Sequence, residues 1–204
     1  MNDSPTVFVI DDDPAVRDSL ALLLEEVGIT VEAFASGDAF LAAGRQQPGS
    51  CAVVDMRMPG MDGMQLQAEL ARRGIPLPLI FLTGHGDIPM SVRAIKAGAV
   101  DFLTKPITGQ ALLESVQAAL VESEKQSRLA EASQTASTRV ASLTEREHQV
   151  MLLAAEGLHN KEIARQLGIS HRTVEIHKAR IMLKTGAESL LELARIVEAS
   201  GLRR

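Results

Sequence analysis

Several short apolar runs in this chain stop at residues that can do chemistry. Thr6-Val7-Phe8-Val9-Ile10 stops at Asp11-Asp12-Asp13, and Cys51-Ala52-Val53-Val54 stops at Asp55, ahead of Met56-Arg57-Met58-Pro59-Gly60-Met61-Asp62-Gly63. A further run ends at Thr83-Gly84-His85-Gly86, and another at Thr104-Lys105-Pro106. Carboxylates gathered at one edge repel each other and call for a cation. In that setting Asp55 is a nucleophile toward phosphorus, and its attack yields an acyl phosphate. Asp11 and Asp12 supply hard oxygen ligands for Mg²⁺. Lys105 is a point charge for phosphate oxygens, and Thr83 a hydroxyl donor to one of them. Little else is required, because phosphoryl transfer depends on positioning and charge neutralisation. Singly, each has a plainer reading: Lys105 as a surface lysine, Thr83 as a turn residue, any Asp as a strand end or cap. Asp13 takes that plainer role, since Pro14 suits a first helical position and Asp the cap before it.

The elements that must deliver these residues follow from periodicity. Apolar runs of strand length bounded by turn residues read as buried strands of a parallel sheet, and in open α/β sheets ligands bind at the carboxyl ends of strands. Strands are expected at residues 6–10, 29–34, 52–54, 78–82 and 100–103. Helices are expected at 14–27, with Val16, Leu20, Leu23, Leu24 and Val27 on one face, at 37–43, 63–73 and 88–97, and from about 109. Five strands alternating with five helices make a doubly wound parallel sheet.

Composition narrows the rest. The chain has 204 residues, 46% of them apolar, enough for one large domain or two small ones. No apolar run approaches a membrane span, and the opening Met1-Asn2-Asp3-Ser4-Pro5 lacks the basic and apolar regions of a secretory signal, so a cytoplasmic location is expected. The single Cys51 lies in an apolar run and reads as core, and no Cys/His zinc spacing occurs. The net charge of −5 hides an asymmetry. Residues 1–121 carry 8 Lys and Arg against 15 Asp and Glu, whereas residues 122–204 carry 13 against 11, with 6 against 2 between Lys161 and Lys184. All five Phe lie at or before Phe102 and there is no Tyr or Trp, so the later part must pack on aliphatic side chains. Two domains follow: residues 1–121 and 140–204, joined by a linker at 122–139. That linker is rich in Ala, Glu, Gln, Ser and Arg and reads equally as a long exposed helix or a flexible tether.

Folded structure resumes at Leu143. Thr144-Glu145-Arg146-Glu147 is a capping box, followed by Val150, Met151, Leu153 and Ala154 at helical spacing. Asn160 is expected to cap a helix through Leu167, Gly168 to break it, Ser170 to cap a third to about Thr185, and residues 190–197 to form a fourth. Lys161 and Arg165 on the second helix, with Arg172, Lys178, Arg180 and Lys184 on the third, suit contact with phosphates. A helical pair with a Gly turn is weak evidence alone.

Residues 5–121 resemble a response-regulator receiver domain, on Asp11-Asp12, the Asp55 to Gly63 motif, Thr83-Gly84 and Lys105-Pro106. Residues 140–200 resemble the LuxR/FixJ-type helix-turn-helix domain, on Leu143-Thr144-Glu145-Arg146-Glu147, Asn160-Lys161-Glu162-Ile163-Ala164, Leu167-Gly168-Ile169-Ser170 and Thr173-Val174-Glu175-Ile176-His177. The resemblance implies a flavodoxin-like sheet followed by a four-helix DNA-binding domain. It implies phosphorylation of Asp55 by a sensor histidine kinase, and Mg²⁺ held by Asp11, Asp12, Asp55 and the carbonyl of Arg57. It also implies a cis Lys105–Pro106 bond and a switch pair of Thr83 and Phe102, although Phe102 reads equally as core. Arg57 and His85, two residues beyond Asp55 and Thr83, are expected to hinder water from reaching the acyl phosphate. Base edges would be faced by Glu175, Ile176, Ala179 and Arg180, with Thr173 alongside and Lys161, Arg172 and Lys178 near phosphates. Thr185 and Glu188 depart from the family, which usually has an apolar and a basic residue there.

The expected function is that of a transcription regulator that dimerises on phosphorylation and binds an inverted-repeat site on double-stranded DNA, with RNA polymerase as a further partner. It would be no enzyme beyond its own phosphorylation and dephosphorylation. A phosphohydrolase of the haloacid-dehalogenase type places its nucleophile after the first strand in Asp-x-Asp-x-Thr or -Val, and here Ala15 fills the last position. The other rival is a pure interaction module, whose helices would bind protein instead of DNA.

Overall fold

The computed structural model describes residues 5–45, 48–84 and 88–201. His85 lies outside them. Strands β1 (Thr6–Ile10), β2 (Thr30–Phe34), β3 (Cys51–Asp55), β4 (Leu79–Thr83) and β5 (Asp101–Thr104) form one parallel sheet in the order β2-β1-β3-β4-β5. That order reverses between β1 and β3, the switch point where a doubly wound sheet opens a crevice. Every residue of β1, β3 and β4 is buried, as expected of apolar runs covered on both faces.

Strand alternation divides the core. Phe8, Ile10, Ala52, Val54 and Phe81 pack against α2 (Gly37–Ala43), α3 (Gly63–Arg72) and α4 (Ile88–Lys96) through Phe40, Leu66, Leu70 and Ala94. Val7, Val9, Val53, Ile80 and Leu82 pack on the other face against Leu20 and Leu24 of α1 (Pro14–Glu25) and Leu112, Val116 and Ala119 of α5 (Gly109–Ala141). Asp13 caps α1 by accepting from the Ala15 N–H at 2.9 Å. Val27 does not join the core face. The helix ends at Glu25, Gly28 turns the chain at φ 81°, and Val27 is 54% exposed.

The chain forms two compact units, residues 1–127 and 128–204. The stretch read equally as helix or tether is helical, part of the 33 residues of α5. In the second unit α6 (Glu145–Ala155), α7 (Asn160–Leu167), α8 (His171–Thr185) and α9 (Leu190–Ala199) enclose Val150, Met151, Ile163, Val174, Ile181, Leu193 and Val197, together with Ala136 and Val140 of α5. Thr144, Ser170 and Ser189 cap α6, α8 and α9. Asn160 is the first residue of α7 and not its cap. That position falls to His159, whose N–H donates to Glu162 Oε2 at 2.8 Å. No helix among the described residues is long and apolar enough to cross a membrane.

Candidate phosphoacceptor site and nucleic-acid face

Asp11 and Asp55 stand at the ends of neighbouring strands, and the two residues are 1% and 7% exposed. Two such charges side by side would repel strongly without a partner. Lys105, just beyond β5, answers them: its Nζ donates to Asp11 Oδ2 and to Asp55 Oδ1, both at 2.7 Å. Burial lowers the affinity of this lysine for its proton, but the bonds and charges of Asp11 and Asp55 outweigh that and hold it above the ordinary lysine value. The remaining oxygens are also engaged, Asp55 Oδ2 by the Arg57 N–H at 2.7 Å and Asp11 Oδ1 by the Asp13 N–H at 2.9 Å.

Backbone contacts fix the frame of this cluster. Arg17 Nη1 donates to the carbonyls of Asp11 at 2.8 Å and Asp12 at 3.0 Å, which no motif in the sequence signalled. The Lys105 N–H donates to the Thr83 carbonyl at 2.7 Å, and Thr83 is buried at the end of β4. The Lys105–Pro106 peptide is cis. Gly63 starts α3 against this edge, where an added Cβ would meet the Asp55 carbonyl and Phe81 Cε1 at 2.9 Å. Phe102 is half-buried on β5, beside Phe81 of β4. Asp12 and Arg57 are exposed.

Convergence of two carboxylates on one ammonium means that hard oxygen donors already point at a single cationic position, a donor set that suits a divalent ion. Among the described residues no three His, Cys, Asp or Glu side chains are drawn together as a ready metal cage.

The second unit arranges its charges otherwise. Lys161, Arg165, Arg172 and Arg180 are exposed, as are Glu175, Ile176 and Ala179 on α8. Thr173 stands at the start of α8, its hydroxyl 2.7 Å from that of Ser170. Two lysines expected on the phosphate side are tied inward: Lys178 Nζ donates to Asn160 Oδ1 at 2.8 Å, and Lys184 Nζ to Glu147 Oε2 at 2.7 Å. Arg146 reaches from α6 to the Leu167 carbonyl at the end of α7. Thr185 is buried without penalty, because its hydroxyl donates to the Ile181 carbonyl at 2.7 Å and accepts from the Ala187 N–H at 3.4 Å. At Glu188 the N–H donates to Glu192 Oε2 at 2.8 Å, so the acid itself stays exposed.

Against known proteins, the response regulator receiver domain matches residues 7–117, and the luxR family of bacterial regulatory proteins matches residues 141–197. The transcriptional regulatory protein FixJ of Azorhizobium caulinodans is 46% identical over 202 residues, covering 99% of this chain and 96% of that protein. Nodulation protein W of Bradyrhizobium diazoefficiens is 44% identical over 196 residues, 96% of this chain and 86% of that one. Among solved structures, response regulator StyR superposes with a TM-score of 0.82 at 45% identity, over 96% of this chain and 98% of that one. Full-length FixJ from B. japonicum gives a TM-score of 0.58 at 42% identity, over 98% of both chains.

Proposed function

Since the chain belongs to the FixJ-type response regulators, DNA-binding proteins that control transcription, we propose that Asp55 is its phosphoacceptor and that phosphorylation there governs the helical DNA-binding domain. The observation that carries this reading is the meeting of Asp11, Asp55 and Lys105 at the switch point of the sheet. A carboxylate oxygen of Asp55 attacks the phosphorus of a phosphohistidine on a sensor kinase. The P–N bond breaks and an acyl phosphate forms. Asp11, Asp12, Asp55 and the Arg57 carbonyl would hold Mg²⁺, which when bound neutralises charge on the phosphoryl oxygens. Lys105 places a second positive charge on those oxygens, and the Thr83 hydroxyl donates to one of them. Thr83 and Phe102 then relay occupancy of the site to the surface of α4, β5 and α5. The only chemistry the chain catalyses is its own phosphorylation and dephosphorylation.

In this reading residues 1–121 are the receiver, 122–139 the linker and 140–204 the DNA-binding domain of a cytoplasmic protein. Lys161 and Arg172 meet phosphates, while Glu175, Ile176, Ala179 and Arg180, with Thr173 beside them, face the base edges in the groove. One small module buries only about 600 to 1,000 Å² against DNA. Joining two on a homodimer gains roughly 10² to 10⁴ in avidity. The site is then an inverted repeat with half-site centres about 10 base pairs apart, where RNA polymerase is recruited or blocked. Incubation with a small phosphodonor and Mg²⁺ should add one phosphoryl group to the wild-type chain and none to Asp55→Asn, and chelation should have nearly the effect of the substitution. Equal acid-labile incorporation by the Asn variant would refute the assignment.

A further inference from the structure

The basic residues of α8 fall on two different sides of the helix. At about 100° per residue, with buried Val174 as origin, Ile181 and Thr185 lie within about 20°, whereas Arg172, Ile176, Ala179 and Leu183 lie about 140 to 200° away. The first set is buried and the second exposed. Lys178 lies about 40° from Val174 by the same spacing, on the inner side. Its side chain is half-buried, its Nζ donates to Asn160 Oδ1 at 2.8 Å, and burial holds its ammonium below the ordinary lysine value.

The placement of that bond gives it a mechanical role. α7 and α8 meet at the Gly168 turn, where φ is 65° and the chain changes direction. Asn160 is at the end of α7 remote from this turn, and Lys178 is about two helical turns into α8. The tie therefore closes the open side of a triangle whose vertex is pinned by the bond from Arg146 to the Leu167 carbonyl. We infer that Lys178 sets the angle of α8 through its bond to Asn160 and is a positioning residue, in place of the phosphate contact its charge suggests. A turn of Nζ away from α7 to a phosphate would leave the half-buried Asn160 oxygen without its donor. The inference rests on the reading of α8 as the DNA-facing helix.

The full chain, treated with beryllofluoride, is used to recover duplexes from a random-sequence pool, and affinity for a recovered duplex is then measured over a series of salt concentrations. Arg172→Ala, a true phosphate contact, should reduce the salt slope by about 0.9. Lys178→Met keeps the aliphatic stem and removes the donor. It should weaken binding by about three- to tenfold at every salt concentration and leave the slope unchanged. Asn160→Ala should cost the same, the double variant no more than either single one, and Lys178→Arg, which can still donate, should bind like wild type. A slope reduced by about 0.9 in Lys178→Met, additive losses in the double variant, or unchanged affinity would each overturn the inference. Failure of the wild-type chain to recover any duplex would instead overturn the DNA reading beneath it. Amide exchange across α8 confirms that each variant is folded.

Discussion

Lysine does opposite work in the two units. In the first, Lys105 is bonded between two acids: Asp11 and Asp55 are buried, lie 44 residues apart in sequence, and both accept from its ammonium. In the second, Lys178 and Lys184 are bonded to side chains of other helices, and Lys161, Arg165, Arg172 and Arg180 stand in solvent. On the proposed function, the contrast follows from the ligands. A phosphoryl group enters a cleft whose charges must be balanced before it arrives, because desolvated carboxylates are costly. A DNA backbone is itself a surface, met by exposed cations on a helix that inner bonds hold in place.

The largest effect expected from this contrast comes from Lys105→Met. With the ammonium gone, two buried carboxylates face each other, and the first unit should lose about 3 kcal/mol in chelator at neutral pH. The raised pKa of Lys105 means that this contribution is complete below the ordinary lysine value of 10.5 and fades only as pH rises beyond it. Added Mg²⁺ should stabilise the variant more than the wild type, since the ion then does alone what lysine did. Urea unfolding followed by far-ultraviolet dichroism, with and without Mg²⁺, checks both statements. An equally stable variant in chelator would show that the acids do not need balancing.

Two glycines sharpen the comparison at smaller magnitude. Gly63 has ordinary backbone angles but no room, and Gly63→Ala should cost about 1 to 3 kcal/mol by forcing α3 away from the Asp55 carbonyl. Gly157 has room but a φ of 88°, and Gly157→Ala should cost about 1 to 2 kcal/mol through backbone strain alone. Asn distinguishes the causes. It tolerates the left-handed region, so Gly157→Asn should recover part of the loss, while Gly63→Asn, which is larger, should be worse than Ala. Thermal unfolding of the four variants reads the order.

The bonded acid-lysine site was legible in the sequence because each of its members ends a short apolar run bounded by turn residues, and strand ends gather at one edge of a parallel sheet. The inner ties of the second unit were not, because a lysine on an amphipathic helix gives no sign of which way it turns until its neighbours are placed. The continuation of α5 was hidden by its own pattern: Leu112, Val116 and Ala119 are followed by the buried polar Ser123, and then only Ala136 and Val140 are apolar and buried. Two such residues four apart are too few to announce a helical face. The end of α1 was misjudged by continuing a periodicity through Val27, where turn geometry at Gly28 had already taken over.

The smallest effect is expected where an architectural tie carries charge, at Glu147 and Lys184. The Lys184 ammonium, with the Thr144 N–H, holds the Glu147 carboxyl down at about 2 from the ordinary 4.5. A depressed carboxyl contributes stability in full above its unfolded value and loses it as pH falls through the folded one. The tie should therefore be intact above about pH 4.5 and gone near pH 2. Because the Lys184 side chain is 36% exposed, solvent screens the pair, and Lys184→Met should cost only about 1 kcal/mol at neutral pH. Amide exchange in α6 and α8 localises the reading to the second unit, which has no Tyr or Trp to report on it. Wild type and variant should differ most at neutral pH and converge in acid as Glu147 takes up its proton. A difference that persists unchanged to pH 2 would mean that the packing of the lysine stem, and not its charge, joins α8 to α6.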